Sequence, residues 1–129
     1  MIDWAKALRD YLKSKVALTT LVGSRIYAEA DYPAAGYKPD IGPAVCFKAS
    51  GGGLDQGDAL LIPRVQFKLY AANEVLCQET ARRLFEALHV QHGGTVRWAT
   101  LETVPVTLRE PDSQWLFGLV YYNVSVTIG

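Results

Sequence analysis

Residues Arg64 to Ala71 alternate cleanly, with Val65, Phe67 and Leu69 on one side and Arg64, Gln66 and Lys68 on the other. A period of two marks a strand with one buried face. Asn73 follows almost at once, a good N-cap for a helix over about 74–90. The period there changes to that of a helix, and Cys77, Ala81, Leu84, Phe85 and Leu88 form an apolar stripe with Arg82, Arg83 and Glu86 off it. Gly93-Gly94 ends it. A strand with one apolar face that feeds a helix with one apolar stripe buries both when helix lies on sheet.

The rest of the chain fits that layer. Residues 3–14 read as a helix carrying Ala5, Leu8 and Leu12, with Asp3 as N-cap or first-turn acid. A helical turn covers Val16 to Val22 and stops at Gly23. Arg25–Ala28 reads as a short strand. Residues 29–43 hold three prolines and two glycines, which prevent a regular helix or central strand. Pro43 opens a strand that runs through Ala49, and Ser50–Asp58 reads as a glycine-rich connection. After the main helix come a candidate strand at Thr95–Ala99 and a hairpin of Val104–Arg109 with Trp115–Ile128. In the last strand Leu116, Val120, Tyr122, Val124, Val126 and Ile128 share one parity, taken as the core face. The expectation is an α+β fold, a mainly antiparallel sheet with the 3–14 and 74–90 helices packed on one face, in a single domain over residues 1–129. Val65, Phe67, Leu69, Leu84, Leu88 and Val124 should be core.

Thirteen basic and 13 acidic residues give a formal net charge of zero. Phosphate affinity comes from clustered Lys and Arg, so DNA affinity should be weak and salt-dependent. Little long-range repulsion opposes self-association. No apolar run approaches a membrane span, and the charged N-terminus lacks a signal core. Cys46 and Cys77 read as reduced, buried thiols, in a strand and a helix, of a protein made in a reducing cytoplasm.

Few residues suggest chemistry. His89 and His92 are one helical turn apart, but zinc needs three or four ligands, so no metal is expected. Gly51, Gly52, Gly53, Leu54, Asp55, Gln56, Gly57 and Asp58 lack the Gly-Lys-Ser/Thr ending of a phosphate loop. They read either as a flexible connector or as an arm that orders on a neighbouring subunit, with Leu54 as its anchor. Tyr32, Tyr37 and Trp115 lie in or beside loops, where aromatics either mark a contact surface or pack locally. Nucleophile elbows and dinucleotide fingerprints are absent from the sequence, so neither enzyme chemistry nor a cofactor is expected.

The order of elements resembles the phage tail completion proteins, also called tail terminator or head–tail joining proteins of long-tailed phages. The segments that carry the resemblance are Ala17-Leu18-Thr19-Thr20-Leu21-Val22-Gly23-Ser24-Arg25-Ile26-Tyr27, then Pro43-Ala44-Val45-Cys46-Phe47 after a Pro-rich loop. Val65–Ala71 running into the helix with Ala81, Leu84, Ala87 and Leu88, and the closing strand Tyr122–Ile128, complete it. Two departures stand out: Tyr70 where a Trp is expected, and extra glycine at 51–53. The resemblance implies a structural virion protein of the tail and neck, assembled in the host bacterial cytoplasm. It implies a homo-oligomeric ring, a hexamer by family resemblance, that caps the tail tube, meets the tail tube protein and the head connector protein, and lets DNA pass without gripping it. The alternative is a small α+β ligand-binding module or enzyme with its site under the 29–43 segment.

Overall fold

A computed structural model describes residues 3–55, 60–89 and 96–127, with residues 53–55 and 60 as backbone only. The architecture is α+β. Helices α1 (Trp4–Lys13), α2 (Val16–Val22) and α3 (Glu74–His89) accompany strands β1 (Ile26–Ala28), β2 (Ala44–Asp55), β3 (Leu60–Ala71), β4 (Val96–Leu101), β5 (Val106–Arg109) and β6 (Leu116–Thr127). The sheet order is β1-β2-β3-β6-β4, with β5 also on β6; the β1–β2 pair is parallel, and β2–β3, β3–β6, β4–β6 and β5–β6 are antiparallel.

The helix ends follow from their caps. Asp3 Oδ1 accepts the Lys6 amide at 3.1 Å, and Asn73 Oδ1 accepts the Leu76 amide at 2.9 Å. Gly23 ends α2 at φ 60°, a conformation open to glycine. The helices share one face of the sheet. Ala5, Leu8 and Leu12 of α1, Leu18 and Val22 of α2, and Ala81, Leu84, Ala87 and Leu88 of α3 close over Val45, Phe47, Val65, Phe67, Leu69, Val120, Tyr122, Val124 and Val126. All six expected core residues are fully buried. Two long-range bonds tie the helices together: the Tyr11 hydroxyl donates to the Ala87 carbonyl at 2.5 Å, and Arg83 Nη1 donates to the Ala17 carbonyl at 2.8 Å.

Several sequence expectations need correction. The glycine-rich stretch is not a loose connection as far as Asp55: β2 continues through it and pairs with a β3 that starts at Leu60, not Arg64. A bulge makes this possible, because the pairing steps from Ala49–Val65 to Gly52–Pro63. Gly51 and Gly52 take φ 105° and 115°, and a Cβ on Gly52 would lie 2.4 Å from the Ile62 carbonyl oxygen, so only glycine fits. Pro63 sits beside this bulge, a place where a strand tolerates proline. Gln56, Gly57 and Asp58 lie outside the described residues, as does Ile128. Phe85, assigned to the α3 stripe, is 37% exposed at its margin, and Leu116 is only half-buried.

The outer face of the sheet, away from the helices, also carries packing at its lower end. Tyr37, Ala44, Cys46, Tyr70 and Phe117 form a second buried cluster, with Tyr27, Trp115 and Leu119 against it. The 29–43 segment supplies Tyr37 to it.

Candidate functional site

Three places on the molecule concentrate side chains of interest. The first is the lower end of the outer face. Lys68 and Glu110 reach it because they occupy outward positions of β3 and of the β5–β6 turn. The Tyr70 hydroxyl donates to Glu110 Oε1 at 2.5 Å, and Lys68 Nζ stands 3.4 Å from the same oxygen. The hydroxyl also lies 3.2 Å from the Asp31 carbonyl, and Asp31 pairs with Lys48 at 2.6 Å. Burial first, and the hydrogen bond to Glu110 second, push the Tyr70 hydroxyl well above the ordinary tyrosine range. Glu110 is a buried side chain held by a cation and a hydroxyl, which fastens the 110–115 turn to β3, and the Tyr70 hydroxyl in turn lies against the 29–43 segment at Asp31.

This place gathers the three loop aromatics singled out from the sequence. Tyr37 is buried: its hydroxyl donates to the Gly42 carbonyl at 2.7 Å, and its ring meets Trp115 edge-on at 5.7 Å. Trp115 is half-buried and lies 6.2 Å from the Tyr70 ring. Tyr32 is 60% exposed, with Lys68 Nζ 5.0 Å from its ring centroid. Tyr37 therefore packs locally, while Tyr32 presents a face to solvent. The space beneath the 29–43 segment, where the alternative reading put a ligand site, holds this aromatic packing.

The second place is a groove of about 480 Å³ on the helical face, between α3 and the β4–β5 side of the sheet. It exists because Gly118 and Thr107 pair across β6 and β5 and leave little side chain beneath Cys77 of α3. Ala81, Phe85, Leu101, Pro105 and Tyr122 complete an apolar lining, with Glu74, Gln78 and Arg82 at the rim. The rim charges are largely spent on α3 itself, where Arg82 pairs with Glu79 and with Glu86.

The third place is the β4–β5 side of the sheet. Trp98, Leu101, Val104, Val106 and Leu108 are 39%, 36%, 78%, 54% and 42% exposed. The sequence marks Trp98 only as one of many aromatics, most of them expected in the core, and does not single out the other four. Val106 and Leu108 did alternate with Thr107 and Arg109, but nothing in the pattern said that the alternating apolar face would be left open.

The expected metal and thiol positions can also be placed. His89 stacks on Phe85 at 4.9 Å, and His92 lies outside the described residues. Among the described residues no group of three or more His, Cys, Asp or Glu is placed to hold a metal ion. Cys46 and Cys77 are free and buried, and burial pushes their thiols up to about 12 and about 11. Among the described residues no helix is long and apolar enough to cross a membrane. No protein-family model matches the chain, and no curated protein matches it.

Proposed function

We propose that this chain is a structural subunit of a phage particle that caps the tail tube and joins it to the head connector, working as a ring of identical copies rather than as an enzyme. The observation that carries the reading is the gathering of exposed apolar side chains along the β4–β5 side of the sheet, with Trp98, Val106 and Leu108 on the outer face, Leu101 on the helical face and Val104 between the two strands. Exposed apolar side chains gathered along one side of a sheet suit a protein contact. Phe85 of α3, 37% exposed, lines the groove beside Leu101. The resemblance of the element order to tail completion proteins supplies the particular assembly, with the tail tube protein and the head connector protein as partners. A net charge of zero suits a channel wall past which DNA slides. The test is electron microscopy of the purified protein, alone and mixed with tail tubes of the parent particle. Rings with a central channel that bind one tube end are expected. Particles the size of one copy that ignore the tubes would overturn the reading.

The apolar groove beneath α3 favours a second reading, a module that binds a small apolar ligand. Gly118→Leu fills the groove floor. If the groove serves a ligand, the variant loses binding of a hydrophobic probe dye; if it is a packing gap, dye binding is absent before and after.

A further inference from the structure

We infer that the two open edges of the sheet pair with each other in consecutive copies of the chain, the upper half of β2 in one copy against β4 in the next. This deepens the ring reading and rests on it. The edges themselves are visible in the topology. β1 covers β2 only at Val45, Cys46 and Phe47. Beyond Phe47 no strand among the described residues lies on that side, and Ala49, Gly51 and Gly52 are exposed. At the other end of the sheet, β4 has β6 on one side and no strand among the described residues on the other; Arg97, Trp98, Thr100 and Leu101 are exposed. An open edge is a row of unpaired amides and carbonyls, a template for another strand.

The two edges match in height and in direction. Following the register across the sheet, Ala49 pairs with Val65, Val65 with Tyr122, and Tyr122 with Leu101, so these four share one row. Further up, Leu54 pairs with Leu61, Leu61 with Val126, and Val126 with Val96. The free half of β2 and the whole of β4 therefore stand at the same level, while β1 and β5 occupy the lower halves of the two sides. The pairs β2–β3, β3–β6 and β6–β4 are all antiparallel, so β4 runs opposite to β2. Copies related by rotation about an axis along the strands would bring β4 against β2 antiparallel and level. That is a heterologous interface, the kind that closes into a ring.

The backbone groups point the right way. The Val45 amide donates to the Arg25 carbonyl at 2.9 Å and the Phe47 carbonyl accepts the Ala30 amide at 3.0 Å, so residues 45 and 47, and by alternation Ala49, face the outer edge. The Glu102 amide donates to the Tyr121 carbonyl at 2.9 Å, so 102 and 100 face β6, and Ala99 and Leu101 face outward. Side chains complement one another too. Trp98 pairs with Ser125, next to Val126, whose row runs through Leu61 to Leu54, and Gly53 pairs with Ile62, next to Leu61, so a half-open indole on one edge stands near the level of a glycine on the other. Cover of an edge glycine by a cross-strand aromatic stabilises such pairs. Each edge also carries a bulge, after Ala49 and after Val96, which shortens the free pairing and discourages open-ended stacking on unrelated strands.

Proline at an outward-facing position removes an edge donor and leaves the inner ladder intact. Ala49→Pro blocks the β2 edge and Ala99→Pro the β4 edge. The experiment measures mass in solution by light scattering for wild type, each variant, and a 1:1 mixture, with thermal melting by circular dichroism to confirm that each variant is folded. The wild type is expected as a ring and each folded variant as a single copy. The mixture is expected as a dimer and nothing larger, because each variant keeps the edge that the other lacks. Folded variants that still form wild-type rings overturn the edge pairing and leave the ring reading standing. A mixture that stays at the mass of one copy also overturns the pairing, and a wild type of one-copy mass contradicts pairing and ring alike.

Discussion

Glu110 is 8% exposed and shares one carboxylate oxygen between the Tyr70 hydroxyl and Lys68. Tyr70→Phe removes the hydroxyl and leaves the buried carboxylate short of a donor. The expected loss is about 1–3 kcal/mol, the usual cost of an unsatisfied buried polar group, read from the urea midpoint. Leu84, fully buried under α3, should cost about 2–5 kcal/mol as Leu84→Ala. Burial pushes the Tyr37 and Tyr122 hydroxyls up to about 12, alongside the two thiols at about 12 and about 11. These groups hold their protons more tightly folded than unfolded. Their contribution is complete below the ordinary thiol and phenol values and is lost as pH rises through the folded ones. Stability should therefore hold to about pH 8.5 and then fall, at about 1.4 kcal/mol per pH unit for each group titrating only in the unfolded chain, and the melting temperature should fall with it. A melting temperature that stays flat from pH 9 to 12 would contradict that burial.

At the scale of elements, the long β2–β3 hairpin depends on two adjacent glycines for different reasons. A Cβ on Gly52 meets backbone atoms at 2.4–2.6 Å, whereas one on Gly51 meets nothing within 4 Å. Gly51→Ala should cost roughly 1–2 kcal/mol of left-handed backbone strain, and Gly52→Ala clearly more, since the facing strand must move. Equal melting of the two variants would mean that the bulge is misplaced. This hairpin also marks the limit of what sequence could reveal. Alternation disclosed β3 from Arg64 on, the α3 stripe and the core parity of β6, because in each a single period is locked to a single buried face. Three consecutive glycines and a proline carry no period, so the strands that contain them read as a connection. The second cluster escaped for a related reason: Tyr70 and Phe117 lie on the parity read as outward, and only the fold of the 29–43 segment over them makes it a buried face. Tyr32, Tyr37 and Trp115 stood out in the sequence as loop aromatics, but their convergence around Tyr70 depends on contacts between distant segments that no local pattern encodes.

At the scale of the whole molecule, the sheet has unequal faces and, among the described residues, two unfinished edges. The helical face carries the groove beneath α3, and the outer face is packed at its lower end. Exposed apolar side chains lie along the β4–β5 side, and an open glycine edge lies along β2. A surface of balanced charge does not repel its own copies. By the same balance, double-stranded DNA should bind weakly, with affinity falling steeply between 50 and 200 mM salt in a filter-binding titration. Tight binding at physiological salt would make the protein a DNA-gripping component instead. The proposed role requires the chain to form a closed ring. Native mass spectrometry of the purified wild-type protein tests it most directly. A single oligomer of one copy number, unchanged as concentration rises, is the predicted result; a 14.2 kDa species alone, or a ladder of ever longer polymers, would contradict it.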